Sequence, residues 1–170
     1  MNLEAFQNRV LPAKNKLFRF ANRLLENEEE AKDVVQDVLI KVWNGREKMG
    51  EILNWEAWCM RLTKNLALDR IRTRQRHHTD SITEGFDIQQ ENLSPLETTE
   101  LTESMQRINL LISALPEKQR QIMHLRDIEG YSYNEICEIL DLELSQVKVN
   151  LFRARNAVRE KLVKINAYGL

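Results

Sequence analysis

Residues 131–164 read YSYNEICEILDLELSQVKVNLFRARNAVREKLVK, and the fold turns on their spacing. Ser132 is placed to cap the amide of Glu135, while the Glu135 carboxylate reaches back to the amide of the cap residue, a reciprocal pair that starts a helix. Ile136, Ile139 and Leu140 follow at helical intervals. Asp141-Leu142-Glu143-Leu144 has room only for a turn. Ser145 then suits the cap of a second helix, whose apolar side is Val147, Leu151, Ala154, Val158, Leu162 and Ile165 at steps of three and four. The other faces carry Lys148, Arg153, Arg155, Arg159, Lys161 and Lys164 against Glu160 alone. A short helix, a tight turn and a longer basic helix form the arrangement that sets one helix in the major groove of DNA. A solvated amphipathic helix with a basic exterior has the same charge run. The two caps around so short a turn favour DNA.

Composition limits the alternatives. At 170 residues and 42% hydrophobic, the chain can hold one ordinary domain or two small ones, and 6% aromatic with five glycines argues against a sandwich or barrel. The net charge of -1 conceals segregation. Glu26 to Asp37 holds six acids and one lysine, Arg61 to Arg76 six bases and one aspartate, and Asp80 to Glu100 six acids with no Lys or Arg. Such blocks imply different partners for different surfaces. Cys59 and Cys137 lie far apart within predicted helices and read as reduced core residues, and His77, His78 and His124 form no ligand set with them. No cofactor or metal is expected. No apolar run reaches membrane-spanning length and no signal peptide is visible, so a cytoplasmic protein without membrane insertion is expected.

Upstream, Leu3 to Val10 predicts a short helix ended near Pro12, and Ala13 to Glu26 a second with Leu17, Ala21, Leu24 and Leu25 on one side. Asn27 caps a third, with Glu28, Glu29 and Glu30 in its positive first turn and Ala31, Val34, Val35, Val38, Leu39 and Val42 as its stripe. Its other side carries Asp33, Gln36, Asp37, Lys41 and part of Trp43. Gly45 to Leu53 reads as a loop and Asn54 as the cap of a helix running to Arg76. That helix joins Trp55 and Trp58 to a basic track. Aromatics beside cations suit a separated nucleic-acid strand; core tryptophans on a solvated helix are the competing account. Periodicity disappears from His77 to Thr99, a polar, acidic linker. Beyond it Met105, Ile108, Leu111, Ile112 and Leu115 mark a helix that Pro116 ends, and Ile122, Met123 and Leu125 belong to the next, packed beneath the helix-turn-helix. The expected fold is all-α: two small helical domains, residues 1–76 and 100–170, joined by the flexible acidic linker 77–99.

Taken together, these stretches resemble the bacterial extracytoplasmic-function (ECF) group of sigma-70-type RNA polymerase sigma factors. LPEKQRQIMHLRDIEGYSYNEICEIL and SQVKVNLFRARNAVREKL resemble the family's carboxy-terminal promoter-reading domain, NEEEAKDVVQDVLIKVW its polymerase-binding helix, and NWEAWCMRLTKNLALDRIR its promoter-melting segment. The resemblance implies a subunit that binds core RNA polymerase and directs promoter-specific transcription initiation, performing no covalent chemistry. It implies docking on the beta-prime clamp through Asp33, Gln36, Asp37, Lys41 and Trp43, with the beta flap as a further contact. It implies minus-ten recognition by Asn54, Trp58, Arg61, Lys64, Asn65, Arg72 and Arg74, with loop 45–54 receiving a flipped base. Minus-thirty-five recognition falls to Ser145, Gln146, Lys148, Asn150, Arg153 and Arg155, Gln146 suiting adenine and Lys148 guanine. An anti-sigma protein is a further implied partner. Three departures stand out: Asp141 where the family commonly has glycine, Val149-Asn150 where it often has Ser-Arg, and Cys137 for a small alanine. The linker suits either a solvated tether or a mimic of nascent RNA. A stand-alone helix-turn-helix regulator leaves the acidic helix and tryptophan segment unexplained, and an enzyme lacks a nucleophile, base and orienting group together.

Overall fold

The computed structural model describes residues 1–81 and 103–168; most of the acidic linker lies outside these residues. The amino-terminal unit begins with α1 (Leu3–Arg9), whose cap is Asn2, and a 3-10 turn at Leu11–Ala13 opened by Pro12. α2 (Lys14–Leu25) ends at Glu26, which takes the left-handed conformation with φ 52°. Asn27 then caps α3 (Glu28–Gly45) by accepting from the Glu30 amide at 3.0 Å. After the loop, Asn54 Oδ1 accepts from Ala57 N at 3.0 Å and starts α4, Trp55–Ser81. α4 therefore runs past Arg76, where the sequence pattern ends it. The three long helices bury Leu17, Phe20 and Leu24 against Val34, Val38 and Val42, with Met60 and Ala67 closing the far side. Apolar burial of this kind, more than helix propensity, is the main stabilising term for packed helices.

In the carboxy-terminal unit α5 (Glu103–Ser113) precedes α6 (Glu117–Met123), which widens into a π turn at His124–Ile128. α7 (Tyr133–Leu140) opens on the expected capping box of Ser132 and Glu135. Asp141 closes it at φ 55° and ψ 52°, and Leu142 N donates to Cys137 O at 3.1 Å, so aspartate occupies the left-handed position that glycine fills more easily. α8 (Leu144–Tyr168) follows. Its cap differs from the expected Ser145. The Glu143 carbonyl accepts from Val147 N, and Gln146 Oε1 accepts from Glu143 N at 3.1 Å, so Glu143 is the cap residue and Ser145 lies inside the first turn. The left-handed Asp141 turns the chain back into helical geometry sooner than a side-chain cap at Ser145 requires. Ile112, Ile122, Leu125, Ile136, Ile139, Val147, Leu151 and Ala154 make the core. Leu162 and Ile165, further along the stripe, are half-buried.

The two units touch. Arg19 on α2 donates through Nε and Nη2 to the two oxygens of Glu129, each at 2.8 Å, and the Glu129 side chain is only 1% exposed. Arg23 Nε donates to His124 Nδ1 at 3.2 Å and its Nη2 to Asn109 Oδ1 at 2.9 Å. The His124 ring stacks on Phe20, centroids 5.6 Å apart. Glu56 Oε1 of α4 accepts from Tyr131 Oη at 2.7 Å and pairs with Lys16 Nζ at 2.6 Å. α7 lies against α4, where Asn54 Nδ2 donates to Glu135 Oε1 at 3.0 Å.

Because Arg23 can only donate, His124 Nδ1 is unprotonated and Nε2 bears the ring proton, 3.2 Å from Glu129 Oε1 but off the line of a hydrogen bond. Burial pushes the imidazole below its ordinary 6.5 and keeps it neutral. Burial works to raise the Glu129 carboxyl, but the two hydrogen bonds from Arg19, with the nearby His124 ring adding to them, outweigh it and hold the group down to about 2. Both shifts have the same consequence on acidification. Below pH 6.5 the unfolded chain takes up a proton at His124 that the folded one resists, and from pH 4.5 towards 2 the contribution of ionised Glu129 is lost. Urea unfolding should therefore show stability falling steadily as pH drops from 6.5. Arg19→Ala should lower stability at neutral pH by about 1 to 3 kcal/mol and flatten the loss below pH 4.5.

Candidate nucleic-acid interface

On α8, burial of Val147, Leu151, Ala154 and Val158 leaves the opposite face to solvent. Of the six residues expected there, Ser145, Gln146, Lys148, Arg153 and Arg155 are exposed and Asn150 is half-buried. They are not equally available. Gln146 spends its carbonyl oxygen on the Glu143 amide, and Asn150 Nδ2 donates to the Gln146 backbone carbonyl at 2.8 Å. Lys148 Nζ stands 6.0 Å from the centroid of Tyr133, whose ring Arg126 also covers at 4.7 Å. Arg155 grips Asp127 with both arms, at 3.0 and 2.5 Å, and that pairing raises its pKa. Arg153 has no hydrogen-bond or ion-pair partner among the described residues. It is the guanidinium most ready to meet a phosphate.

α4 supplies the second surface. Arg61, Asn65, Arg72 and Arg74 are exposed, Trp58 and Lys64 half-buried. Trp55 belongs to the core at 9% exposure and meets Trp58 edge to face at 6.0 Å, so only the second tryptophan offers area for stacking. Burial lowers the Lys64 pKa, with Arg61 adding to the effect and Asp141 across the α7 contact opposing it. Beneath the loop between α3 and α4 lies an open cavity of about 690 Å³ lined by Arg9, Arg46, Met49, Ile52, Asn54 and Trp55. Asn54 stands at its edge as expected, yet both ends of its amide are engaged, one by the α4 cap and one by Glu135. Sequence spacing carries no sign of that second bond.

The acidic ridge of α3 keeps Asp33, Gln36, Asp37 and Lys41 exposed. Trp43 is instead half-buried, edge-on to Phe6 at 5.3 Å and covered by Arg46 at 4.1 Å. Arg70, part of the basic track but not of the expected minus-ten set, reaches both aspartates: 2.9 Å to Asp37 and 3.8 Å to Asp33. Arg74 likewise pairs with Glu30. Cys59 is buried and its thiol is pushed up to about 12 by that burial, with Glu56 assisting, which leaves it a poor nucleophile. Among the described residues no helix is long and apolar enough to cross a membrane.

A helix-turn-helix with an open cationic face, joined to a helical unit bearing a basic track and an acidic ridge, defines a two-part DNA-binding protein. Residues 11–77 match Sigma-70 region 2, and residues 105–158 match Sigma-70, region 4. The ECF RNA polymerase sigma factor SigE of Mycolicibacterium smegmatis is 30% identical over 151 residues, covering 88% of this chain and 58% of that protein. SigW of Bacillus subtilis, also an ECF RNA polymerase sigma factor, is 28% identical, with 94% and 89% covered. The sigma factor RpoE of Bartonella quintana, solved with the anti-sigma factor NepR, superposes with a TM-score of 0.78 at 26% identity, over 94% of this chain and 98% of that one. The chain belongs to the sigma-70 family and is an ECF RNA polymerase sigma factor, a protein that directs transcription initiation.

The unequal state of the two arginines sets an expectation. Arg153→Ala should weaken binding to a promoter duplex evenly across sequences and reduce the slope of log K against log salt by about 0.9. Arg155→Ala should change that slope less and instead cost up to about 1 kcal/mol of folding stability through the lost Asp127 pair. Anisotropy titrations over a salt series, with thermal melts of both variants, separate the two effects.

Proposed function

We propose that this sigma factor holds core RNA polymerase through α3 while α4 and α8 engage the minus-ten and minus-thirty-five elements of one promoter. Residues 1–76 act as the polymerase-binding and melting unit, 77–99 as the tether, and 100–170 as the minus-thirty-five reader. The observation that carries this reading is the open face of α8: exposed Lys148 and Arg153 outside the arc where Val147, Leu151, Ala154 and Val158 are buried, on the second helix of a capped helix-turn-helix. Asp33, Gln36 and Asp37 meet basic groups of the beta-prime clamp, where complementary charge supports orientation and fast encounter. Lys41 and Trp43 flank that contact. Arg61, Lys64, Asn65, Arg72 and Arg74 track the strand backbone, Trp58 stacks on a base, and the cavity beside Asn54 takes a flipped one.

The minus-ten surface is not free while the units are packed together. Asn54 is bonded to Glu135 and Lys64 is half-buried near Asp141, so α7 must part from α4 before both surfaces can work. Binding to polymerase supplies that separation, and simultaneous hold on two elements then raises the effective concentration of each. The working place of the protein is the cytoplasm, and it carries out no covalent chemistry. An anti-sigma protein is the natural antagonist; the Bartonella relative was solved with one.

Transcription in vitro with core polymerase and a library of promoter fragments tests the whole reading, and the expected result is initiation at a defined subset. Asp33→Ala combined with Asp37→Ala should reduce capture of core polymerase by roughly ten- to thirtyfold, from two exposed charge pairs of about 1 kcal/mol each. Binding of an isolated minus-thirty-five duplex should stay within about twofold of the parent. Equal loss in both assays counts against the separate roles.

A further inference from the structure

The face of α8 turned away from its core is not wholly polar. Helical geometry advances about 100° per residue, and on that wheel Val149 lies about 170° from the centre of the buried arc formed by Val147, Leu151, Ala154 and Val158. Phe152 and Arg153 fall about 130° from that centre, one on each side. Val149 is 45% exposed and Phe152 67% exposed. Of the hydrogen-bonding groups nearby, Gln146 caps Glu143, Asn150 bonds the backbone one turn back and Arg155 is held by Asp127, while the short Ser145 side chain one turn before Val149 is exposed. The middle of the expected reading surface thus presents two hydrocarbon side chains beside one small hydroxyl, Ser145, with Lys148 and Arg153 to the sides.

In the major groove the apolar feature of an unmodified base edge is the C5-methyl group of thymine; the remaining positions are donors and acceptors that lose water without return when covered by hydrocarbon. We propose that Val149 is a specificity-determining residue that reads a thymine methyl group in the minus-thirty-five element, with Phe152 extending the same apolar contact. The inference rests on α8 being the minus-thirty-five reader. Flanking cations decide between DNA and a protein occupant, because Lys148, Arg153 and Arg159 border the apolar strip as a polyanion requires. Burying one methyl against Val149 corresponds to about a threefold to fivefold change in affinity.

The test uses full-length protein reconstituted with core polymerase. Duplexes randomised in the minus-thirty-five segment are selected on this holoenzyme, and the best site is remade with deoxyuridine at each thymine in turn, which removes the methyl and leaves base pairing intact. The parent protein should lose about threefold to fivefold at one thymine in particular. Val149→Ser, at an exposed position, should shrink the difference between the thymine and deoxyuridine duplexes, leaving only the part that Phe152 supplies. If the parent is indifferent to deoxyuridine at every position while still selecting a site, Val149 does not read a methyl, although α8 remains the reader. Failure to enrich any sequence overturns the assignment of α8 together with this inference. Should Val149→Ser weaken capture of core polymerase and leave the thymine preference untouched, the apolar strip faces protein and the inference is wrong.

Discussion

A carboxylate with almost no solvent of its own joins the two halves of this molecule. Glu129 sits at the end of the π turn, takes both donors of Arg19 from the opposite unit, and faces the proton of a neutral His124. An ionised group in that position is tolerable only while its partners remain, so the α2 surface and the π turn stay together. From this point the contact spreads to Tyr131 and Glu56, then to Asn54 and Glu135, until α7 rests on α4.

The arrangement makes the two basic surfaces unequal. α8 keeps its outward face clear, whereas α4 has Lys64 and Asn54 drawn into the contact with α7. Several of the joining ion pairs are half-exposed, which suits a closure that a strong competing partner can open. The acidic and basic blocks of the amino-terminal unit are coupled as well. Arg70 and Arg74 bind carboxylates of α3, so the acidic ridge and the basic track share charges across a single helix pair.

Much of this architecture follows from local rules. The Ser132–Glu135 box, the Asn27 and Asn54 caps, the apolar stripes and the helix-turn-helix stand where spacing places them, because each depends on groups within four residues of one another. Local rules also misplace some features. Ser145 has the right chemistry for a cap, but the left-handed Asp141 moves the helix start to Glu143; α4 continues past Arg76 because a polar stretch can extend a helix already nucleated by packing upstream. Trp43 joins an acidic ridge in sequence and a Phe6–Arg46 sandwich in space.

What the amino-acid order determined by itself is the helical class, the two-part organisation, the segregation of charge and the helix-turn-helix. Those are consequences of period, capping and composition, which act over a turn or two. Tertiary structure alone decided which charged groups are free and which are spent: Arg153 open but Arg155 held, Asn54 committed twice, Glu129 buried between units, Val149 left uncovered in the middle of a cationic face. Availability depends on neighbours brought together from distant parts of the chain, and no local pattern encodes such distances.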